Sequence, residues 1–221
     1  MQIEIFYMDR DLLLCRKRVG VPSQADGKED MVSLLSAQLA AAGEKKEIFP
    51  VHRLDQGVGG VMVFARSAAM AGKLTALVAE RSFEKEYLAV LRGHPAEEEG
   101  VLKDLLFKDS ARNKSFVVQR MRRGVKEASL EYRVLGKTED HTLVRVKLHT
   151  GRTHQIRVQF SSRRLPLLGD GKYGGGDNHC DIALFACRLA FRHPRTGKEV
   201  AAFALPEKTA YPWNEFELPE E

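Results

Sequence analysis

Cysteine, tryptophan and long apolar runs are what this sequence has least of. Its 221 residues include three cysteines, Cys15, Cys180 and Cys187, and a single tryptophan. Three scattered cysteines without a Cys-x-x-Cys pair exclude a disulfide framework and give no sign of a zinc site. We therefore expect their thiols to be small buried or idle groups in a reducing compartment.

Membrane and export signals are also missing from the sequence. No stretch approaches the roughly 18 uninterrupted apolar residues of a membrane span. The first residues, 1–6, lack the basic and apolar regions of a signal peptide. Apolar residues at 43% and charged residues at 29% are ordinary for a globular protein. We expect a cytoplasmic monomer without a membrane partner.

Positive charge is present but unevenly distributed. The formal net charge is +5. Residues 103–126 carry a local charge of +6 and residues 151–172 one of +4, so the remainder is net negative. Such clusters suit the phosphate backbone of a nucleic acid, since each neutralised phosphate releases counterions. On charge alone, a solvated basic face without a partner is an equally good interpretation.

Hydrophobic periodicity predicts more strands than helices. Alternating or short apolar runs predict strands at 3–7, 12–15, 61–65, 87–91, 130–134 and 144–148, with a hairpin and a mobile loop in the basic stretch 103–126. Helices are expected at about 29–42, ending at Gly43, after a Ser67 cap, and over 154–161 after a Thr153 cap. The fold class is therefore α+β, with a mixed, mostly antiparallel central sheet flanked by a few helices and loops.

The first run with chemical potential is Val-His-Arg-Leu-Asp-Gln-Gly-Val-Gly-Gly, residues 51–60. Asp55 lies close to Arg53 and precedes three glycines, which favours a tight loop where the backbone can approach a ligand. A carboxylate near a cation stays ionised and can act as nucleophile or base. An ordinary surface ion pair beside a glycine turn would give the same pattern.

Two further runs follow. Lys85-Glu86-Tyr87 opens a strand, where an aromatic ring beside basic residues can stack on an extruded base or can simply pack. Residues 149–158 read His-Thr-Gly-Arg-Thr-His-Gln-Ile-Arg-Val. Ile156 and Phe160 share a helix face and should point to the core. Arg157 needs an anion if it is buried, and Asp55 is the candidate that we expect. No spaced His/Cys cluster supports a metal site.

Together these runs resemble the signature of the RluA-type pseudouridine synthases: His-Arg-Leu-Asp, then Lys-x-Tyr, then Gly-Arg-Thr-His-Gln-Ile-Arg, in that order. The turn Leu168-Gly169-Asp170 with Tyr173-Gly174 and the late run 189–194 are also similar to the family. The resemblance extends over nearly the whole chain. It implies one catalytic domain over 1–221 without an S4 RNA-binding domain, and an active-site cleft across the sheet.

The resemblance also implies roles for individual residues. Asp55 would be the catalytic aspartate, Tyr87 would stack on the flipped base, and Arg157 would pair with Asp55. Arg53 would help to displace the target uridine. The remaining RNA- or base-binding candidates are His52, Arg152, Thr153 and His154. No cofactor or metal is implied, because bonds are exchanged without redox chemistry.

The sequence departs from the family's pattern in places that bear on the RNA-facing surface. Val58-Gly59-Gly60 replaces the usual Thr-Ser-Gly, and Val158-Gln159 replaces Val-His. Arg163-Arg164 stands where a glycine is common, and Phe185 stands where a histidine often does. The catalytic residues themselves match.

The implied function is isomerisation of a specific uridine in structured rRNA or tRNA to pseudouridine. Asp55 could attack C1′, attack C6 of the uracil, or remove a proton from C2′, and the residues leave all three routes open. The alternative is a non-catalytic RNA-binding protein on the same fold. A hydrolase with two carboxylates is the other alternative, although no second acid has a recognisable spacing from Asp55.

Overall fold

A computed structural model of the chain describes residues 2–25, 29–44 and 47–220. Within these ranges the chain forms eleven strands, three α-helices and a short 3₁₀ helix. In order these are β1 (Ile5–Met8), β2 (Leu12–Lys17), α1 (Met31–Ala41), β3 (Phe49–Pro50), β4 (Gly59–Ala65), α2 (Ala68–Ala79), β5 (Glu84–Arg92), β6 (Glu99–Asp109), β7 (Lys114–Val118), β8 (Val125–Lys137), β9 (His141–Leu148), α3 (Gln155–Ser161), β10 (Leu184–Arg192), β11 (Glu199–Phe203) and the 3₁₀ helix Trp213–Glu215.

The chain divides into two compact units. The first comprises Met1–Lys85 and Ala186–Ala204, and the second comprises Glu86–Phe185 and Leu205–Glu221. Each unit contains antiparallel strands with at least one helix, which confirms the predicted α+β class with a mostly antiparallel sheet. None of the described helices is both long and apolar enough to span a bilayer.

In the first unit the strand order is β1-β2-β4-β10, with β3 beside β4 and β11 beside β10. Every residue of β4 is buried. An apolar strand buried on both faces has no polar alternation, which is why residues 59–65 read as one continuous apolar run. The register pairs Cys15 with Met62 and Lys17 with Gly60, so the end of β2 lies against the start of β4.

Strand β1 begins two residues later than predicted. The main chain of Ile3 is held by Gln38 of α1, whose side-chain oxygen accepts the Ile3 N–H at 2.5 Å and whose amide donates to the Ile3 carbonyl at 2.9 Å. These bonds occupy the groups that a strand ladder would need. The predicted Ser67 cap of α2 is confirmed, since the hydroxyl accepts the Met70 amide at 3.2 Å.

In the second unit the strand order is β5-β9-β8-β6-β7. The predicted strands 130–134 and 144–148 are confirmed as parts of β8 and β9, which pair antiparallel with an irregularity between Val134 and Gly136. The basic stretch is more than one hairpin: β6 and β7 enclose the turn 110–113, and a separate loop, 119–124, leads to β8. Helix α3 packs on β6 and β7.

The predicted Thr153 cap of α3 is wrong. The residue before the helix is His154, with φ of 54° and no side-chain cap. The Gln155 side chain holds the segment before the helix, because its oxygen accepts the Arg152 amide at 3.0 Å and the Thr150 hydroxyl at 2.8 Å. Thr153 uses its carbonyl, which accepts the Ser115 hydroxyl at 2.7 Å.

All three helices end in a left-handed residue followed by a bond back to the last turn. The left-handed residues are Gly43 (φ 81°), Arg81 (φ 61°) and Arg164 (φ 62°). The closing amides are Glu44 to the Leu39 carbonyl, Ser82 to Leu77 and Leu165 to Phe160, at 2.9, 2.9 and 3.1 Å. This is the Schellman arrangement, which usually places glycine at the left-handed position. Gly43 confirms the predicted helix end, and Arg164 explains why the family often has a glycine there.

Candidate active site

The predicted site residues are divided between the two units. His52, Arg53 and Asp55 lie in the first unit, on the loop between β3 and β4. The second unit contains Tyr87 on β5, Arg157 on α3, and the three residues 152–154 that precede the helix. The expected ion pair between Asp55 and Arg157 stays a prediction.

The loop that carries Asp55 is pinned to the segment after β2. The Ser23 hydroxyl donates to the Leu54 carbonyl at 2.9 Å and accepts the Leu54 amide at 3.0 Å. Gln56 and Gly20 exchange two more bonds, each 2.9 Å long. The Val58 amide closes a turn on the Asp55 carbonyl at 3.0 Å. Asp55 itself is partly exposed at the start of this turn, and these main-chain bonds fix the loop on which it stands.

A fully buried lysine completes the loop. The Lys17 ammonium donates to the carbonyls of Arg18 (2.9 Å), Gln56 (3.0 Å) and Val58 (2.7 Å). These three acceptors match the three protons of the ammonium. Desolvation by burial lowers the pKa of Lys17 to about 8, and the nearby Asp55 carboxylate opposes that shift. Sequence reasoning missed Lys17 as a site residue, since a lysine at a strand end normally points to solvent.

Gly60, the last of the three glycines after Asp55, serves packing. Gly60 has φ of 127°, and a Cβ there would lie 2.2 Å from the Ala186 carbonyl oxygen. No L side chain fits that approach of β4 to β10. The sequence predicted that these glycines would admit a ligand, whereas Gly60 admits the neighbouring strand.

His52 is a neutral imidazole inside the first unit. Desolvation lowers its pKa well below the usual value, and the charge of Lys85 lowers it further. Its Nε2 accepts the Val63 amide at 3.3 Å, which ties the loop to β4. Its ring also packs edge-on against Phe83, with centroids 6.5 Å apart. These contacts tie the loop to β4 and to Phe83, and the RNA contact of His52 stays a prediction.

In the second unit, Arg157 is held by Asp170. The Arg157 Nε lies 2.8 Å from Oδ2 of Asp170, and its Nη2 lies 2.7 Å from Oδ1. The Asp170 side chain is fully buried and also accepts the amides of Lys172 and Tyr173 at 3.0 and 3.1 Å. Bidentate charge-assisted pairing fixes both the position and the plane of a guanidinium. The turn Leu168-Gly169-Asp170 was visible in the sequence, but this pairing was not predicted.

Tyr173 lies between two cations. The Arg157 guanidinium carbon is 5.2 Å and the Lys114 ammonium 5.0 Å from its ring centroid. Its hydroxyl accepts the Ser115 amide at 2.7 Å and lies 2.9 Å from Nδ1 of His154. Burial raises the pKa of Tyr173, so the hydroxyl stays protonated. The predicted base-binding residue His154 is thereby tied to the edge strand β7 through Tyr173.

The other predicted residues of the second unit are partly structural. The Arg152 guanidinium donates through Nε to the Glu127 carbonyl at 2.9 Å. Tyr87 is 9% exposed and lies opposite Val146 in the ladder of β5 and β9. Gln159, a departure from the family, is fully buried and donates to Asp104 at 2.7 Å. It links α3 to β6, so this departure concerns the core, and not the RNA-facing surface as we expected.

One cluster of possible metal ligands occurs among the described residues: Asp9, Asp11 and His193. Nδ1 of His193 accepts the amides of Arg195 and Thr196 at 3.1 and 3.3 Å. The ring proton therefore resides on Nε2, which lies 3.1 Å from Oδ2 of Asp9. A protonated nitrogen offers no lone pair, so this cluster is an interaction between His193 and carboxylates rather than a metal site.

Comparison with known proteins places this geometry in a family. Residues 11–162 match the family model described as RNA pseudouridylate synthase. The chain belongs to that family. It is therefore an RNA pseudouridine synthase, which is an isomerase, and the predicted family and enzyme class are confirmed.

The relatives extend over nearly the whole chain. Ribosomal large subunit pseudouridine synthase D of Zymomonas mobilis is 31% identical over 90% of this chain and 67% of its own length. The tRNA pseudouridine synthase C of Vibrio parahaemolyticus is 30% identical over 94% of this chain and 92% of its own. The solved structure of human RNA Pseudouridylate Synthase Domain Containing 4 superposes with a TM-score of 0.78 at 25% identity, covering 93% of this chain and 89% of that one.

Proposed function

We propose that this synthase isomerises a specific uridine in structured rRNA or tRNA, with Asp55 as its catalytic carboxylate. The observation that carries the assignment to Asp55 is its loop. A half-exposed carboxylate stands on a turn whose main chain is bound by the Lys17 ammonium, so a fixed cation lies near a fixed anion. A carboxylate that is held in place and partly exposed can act as nucleophile or base.

The reaction exchanges bonds at one sugar carbon. The N1–C1′ bond of uridine breaks and a C5–C1′ bond forms. C5 then loses its proton and N1 gains one, so atoms and charge balance without a cofactor. Asp55 attacks C1′, attacks C6, or removes a proton from C2′, and these routes stay open.

We assign supporting roles to residues of both units. Tyr87 would stack on the flipped uracil, and Arg53 would take the place of the extruded nucleotide. Arg157 would pair with Asp55. Asp170 accepts two of the five N–H bonds of Arg157, so pairing with a second carboxylate is chemically compatible with the observed one.

The basic loops of the second unit would bind the RNA backbone. Arg120, Arg122 and Arg123 are exposed on the loop 119–124, and Met121 between them is 57% exposed. Exposed arginines neutralise phosphates, and extruding a duplex uridine costs a few kcal/mol that such contacts offset. The relatives named for rRNA and for tRNA support both substrates, and a cytoplasmic, monomeric protein stays our prediction.

The test is release of tritium from cellular RNA labelled with [5-³H]uridine, since forming the C5–C1′ bond expels the C5 hydrogen. We expect the wild type to release tritium and Asp55→Asn to release none while it still binds RNA. Asp109→Asn, which changes a carboxylate on β6, is the matched control and should keep its activity. An inactive wild type with intact RNA binding would instead favour the non-catalytic alternative.

A further inference from the structure

One partly buried cation of the first unit lacks a hydrogen-bond acceptor among the described residues. Six lysines or arginines of its described part are not fully exposed: Arg16, Lys17, Arg18, Arg66, Lys85 and Arg188. Five of them donate to a carboxylate or a main-chain carbonyl. Lys85, the sixth, has no such partner among the described residues. Its ammonium lies instead over the Phe83 ring, 5.4 Å from the centroid.

The surroundings of Lys85 are apolar or already neutralised. Phe83 stacks on Phe191 with centroids 4.4 Å apart. Both acidic neighbours on β5 have partners: Glu84 pairs with Arg188 at 2.7 Å and Glu86 with Arg145 at 2.5 Å.

The titratable group that faces Lys85 from the preceding loop is His52, which is neutral. Burial lowers the pKa of Lys85 to about 8, so it is mostly protonated at neutral pH. Half-burying an unpaired ammonium is costly, and groups perturbed in this way cluster at functional sites.

The position of Lys85 indicates which anion this is. The Phe83 ring contacts both the Lys85 ammonium, 5.4 Å from its centroid, and the His52 ring, with centroids 6.5 Å apart. His52 is three residues before Asp55, so Lys85 lies beside the loop that carries the catalytic carboxylate. Arg53 on the same loop is exposed and has no hydrogen bond or ion pair among the described residues. The permanent anion of every RNA nucleotide is its phosphodiester.

We propose that Lys85 is an anion subsite that binds a backbone phosphate of the RNA next to the target uridine. This inference rests on the proposed function for its ligand, but it concerns binding rather than the chemical step. A compact ammonium over an aromatic ring suits one phosphate oxygen as a point charge, without the bidentate geometry of an arginine.

The experiment compares Lys85→Met, Lys85→Arg and Lys73→Met in the full chain. Lys73 is an exposed lysine of α2 and serves as the matched control. Binding of bulk cellular RNA is measured by filter retention in an Asp55→Asn background, at several salt concentrations and pH values. KM and kcat are measured by tritium release with Asp55 intact.

We expect Lys85→Met to weaken binding and raise KM about tenfold at unchanged kcat. The salt dependence of log Kd should become shallower by about one unit, the loss of one phosphate contact. Wild-type binding should weaken as the pH rises through about 8, whereas Lys85→Arg should bind independently of pH there because a guanidinium does not titrate. Lys17, whose pKa is also about 8, is present in every variant, so only the difference between variants reports on Lys85.

Two results would contradict the proposal that Lys85 is an anion subsite. Lys85→Met could lower kcat at unchanged KM and salt dependence, which would place the charge on the reacting uracil. Lys85→Met could also behave like Lys73→Met in both assays, which would make the cation structural. A wild type that releases no tritium would contradict the proposed function instead. The binding comparison would still show whether Lys85 contacts a phosphate.

Discussion

Each unit holds a buried or mostly buried cation at a segment that carries predicted catalytic residues. The two cations have different hydrogen-bond acceptors. Lys17 of the first unit is bound by three neutral carbonyls, two of them from the Asp55 loop. Arg157 of the second unit is bound by the buried carboxylate of Asp170. The charge of Lys17 is therefore solvated but not neutralised, and it still acts on Asp55. The charge of Arg157 is paired on two of its nitrogens, which holds its orientation.

The largest effect should come from removing the carboxylate of the second unit. Asp170→Asn leaves a mostly buried guanidinium without its anion, so the free energy of unfolding should fall by about 3 kcal/mol. Tritium release should fall with it, because Arg157 loses its orientation. Denaturant unfolding measures the fall in the free energy of unfolding. Asp109→Asn affects a partly exposed pair with Arg112, with N–O separation of 3.7 Å, and should cost less than about 1 kcal/mol. Equal losses in both variants would contradict the assigned role of Asp170.

In the first unit, the contribution of Lys17 to the free energy of unfolding should depend on pH. Burial lowers the pKa of Lys17 to about 8 from its ordinary 10.5. Between these values the unfolded chain binds a proton that the folded chain has released. The stability of the wild type relative to Lys17→Met should therefore rise with pH across that window, by on the order of 3 kcal/mol.

Urea unfolding at about pH 7.5 and about pH 10 measures this difference. Subtracting the Lys17→Met curve removes the contributions of Lys85 and the tyrosines, which both proteins share. Parallel curves for the two proteins would show that Lys17 does not titrate as its burial requires. Arg157 offers no such window, because a guanidinium stays charged throughout.

The smallest expected effect concerns the left-handed residue that follows a helix in each unit. Arg81 ends α2 in the first unit and Arg164 follows α3 in the second, both in left-handed conformations. Replacing either residue by glycine removes the steric cost of the Cβ there, so each variant should gain about 1 kcal/mol. Thermal unfolding measures the gain. Gly43→Ala at the end of α1 should lose a similar amount, and a loss in all three variants would contradict the explanation.

Much of the fold follows from local sequence. The continuous apolar run 59–65 becomes β4, the Ser67 cap starts α2 and Gly43 ends α1, because each depends on nearby residues. The capping of α3 was not predictable in this way. Thr153 favours a cap, but the residue before the helix is His154 in a left-handed conformation. The Gln155 side chain holds the preceding segment through Arg152, Thr150 and Ser129.

By itself, the sequence determined the family, the enzyme class and the candidate residues, because those depend on the order of three short motifs. Only the tertiary structure decided how the cations of the two units are satisfied. Lys17 and Gln56 are 39 positions apart and Arg157 and Asp170 are 13 apart. Such pairings form when strands and turns bring distant groups together and exclude water, so that each buried charge must find a partner. Lys85 lacks such a partner within the described chain, and in our proposal a phosphate of the RNA supplies it.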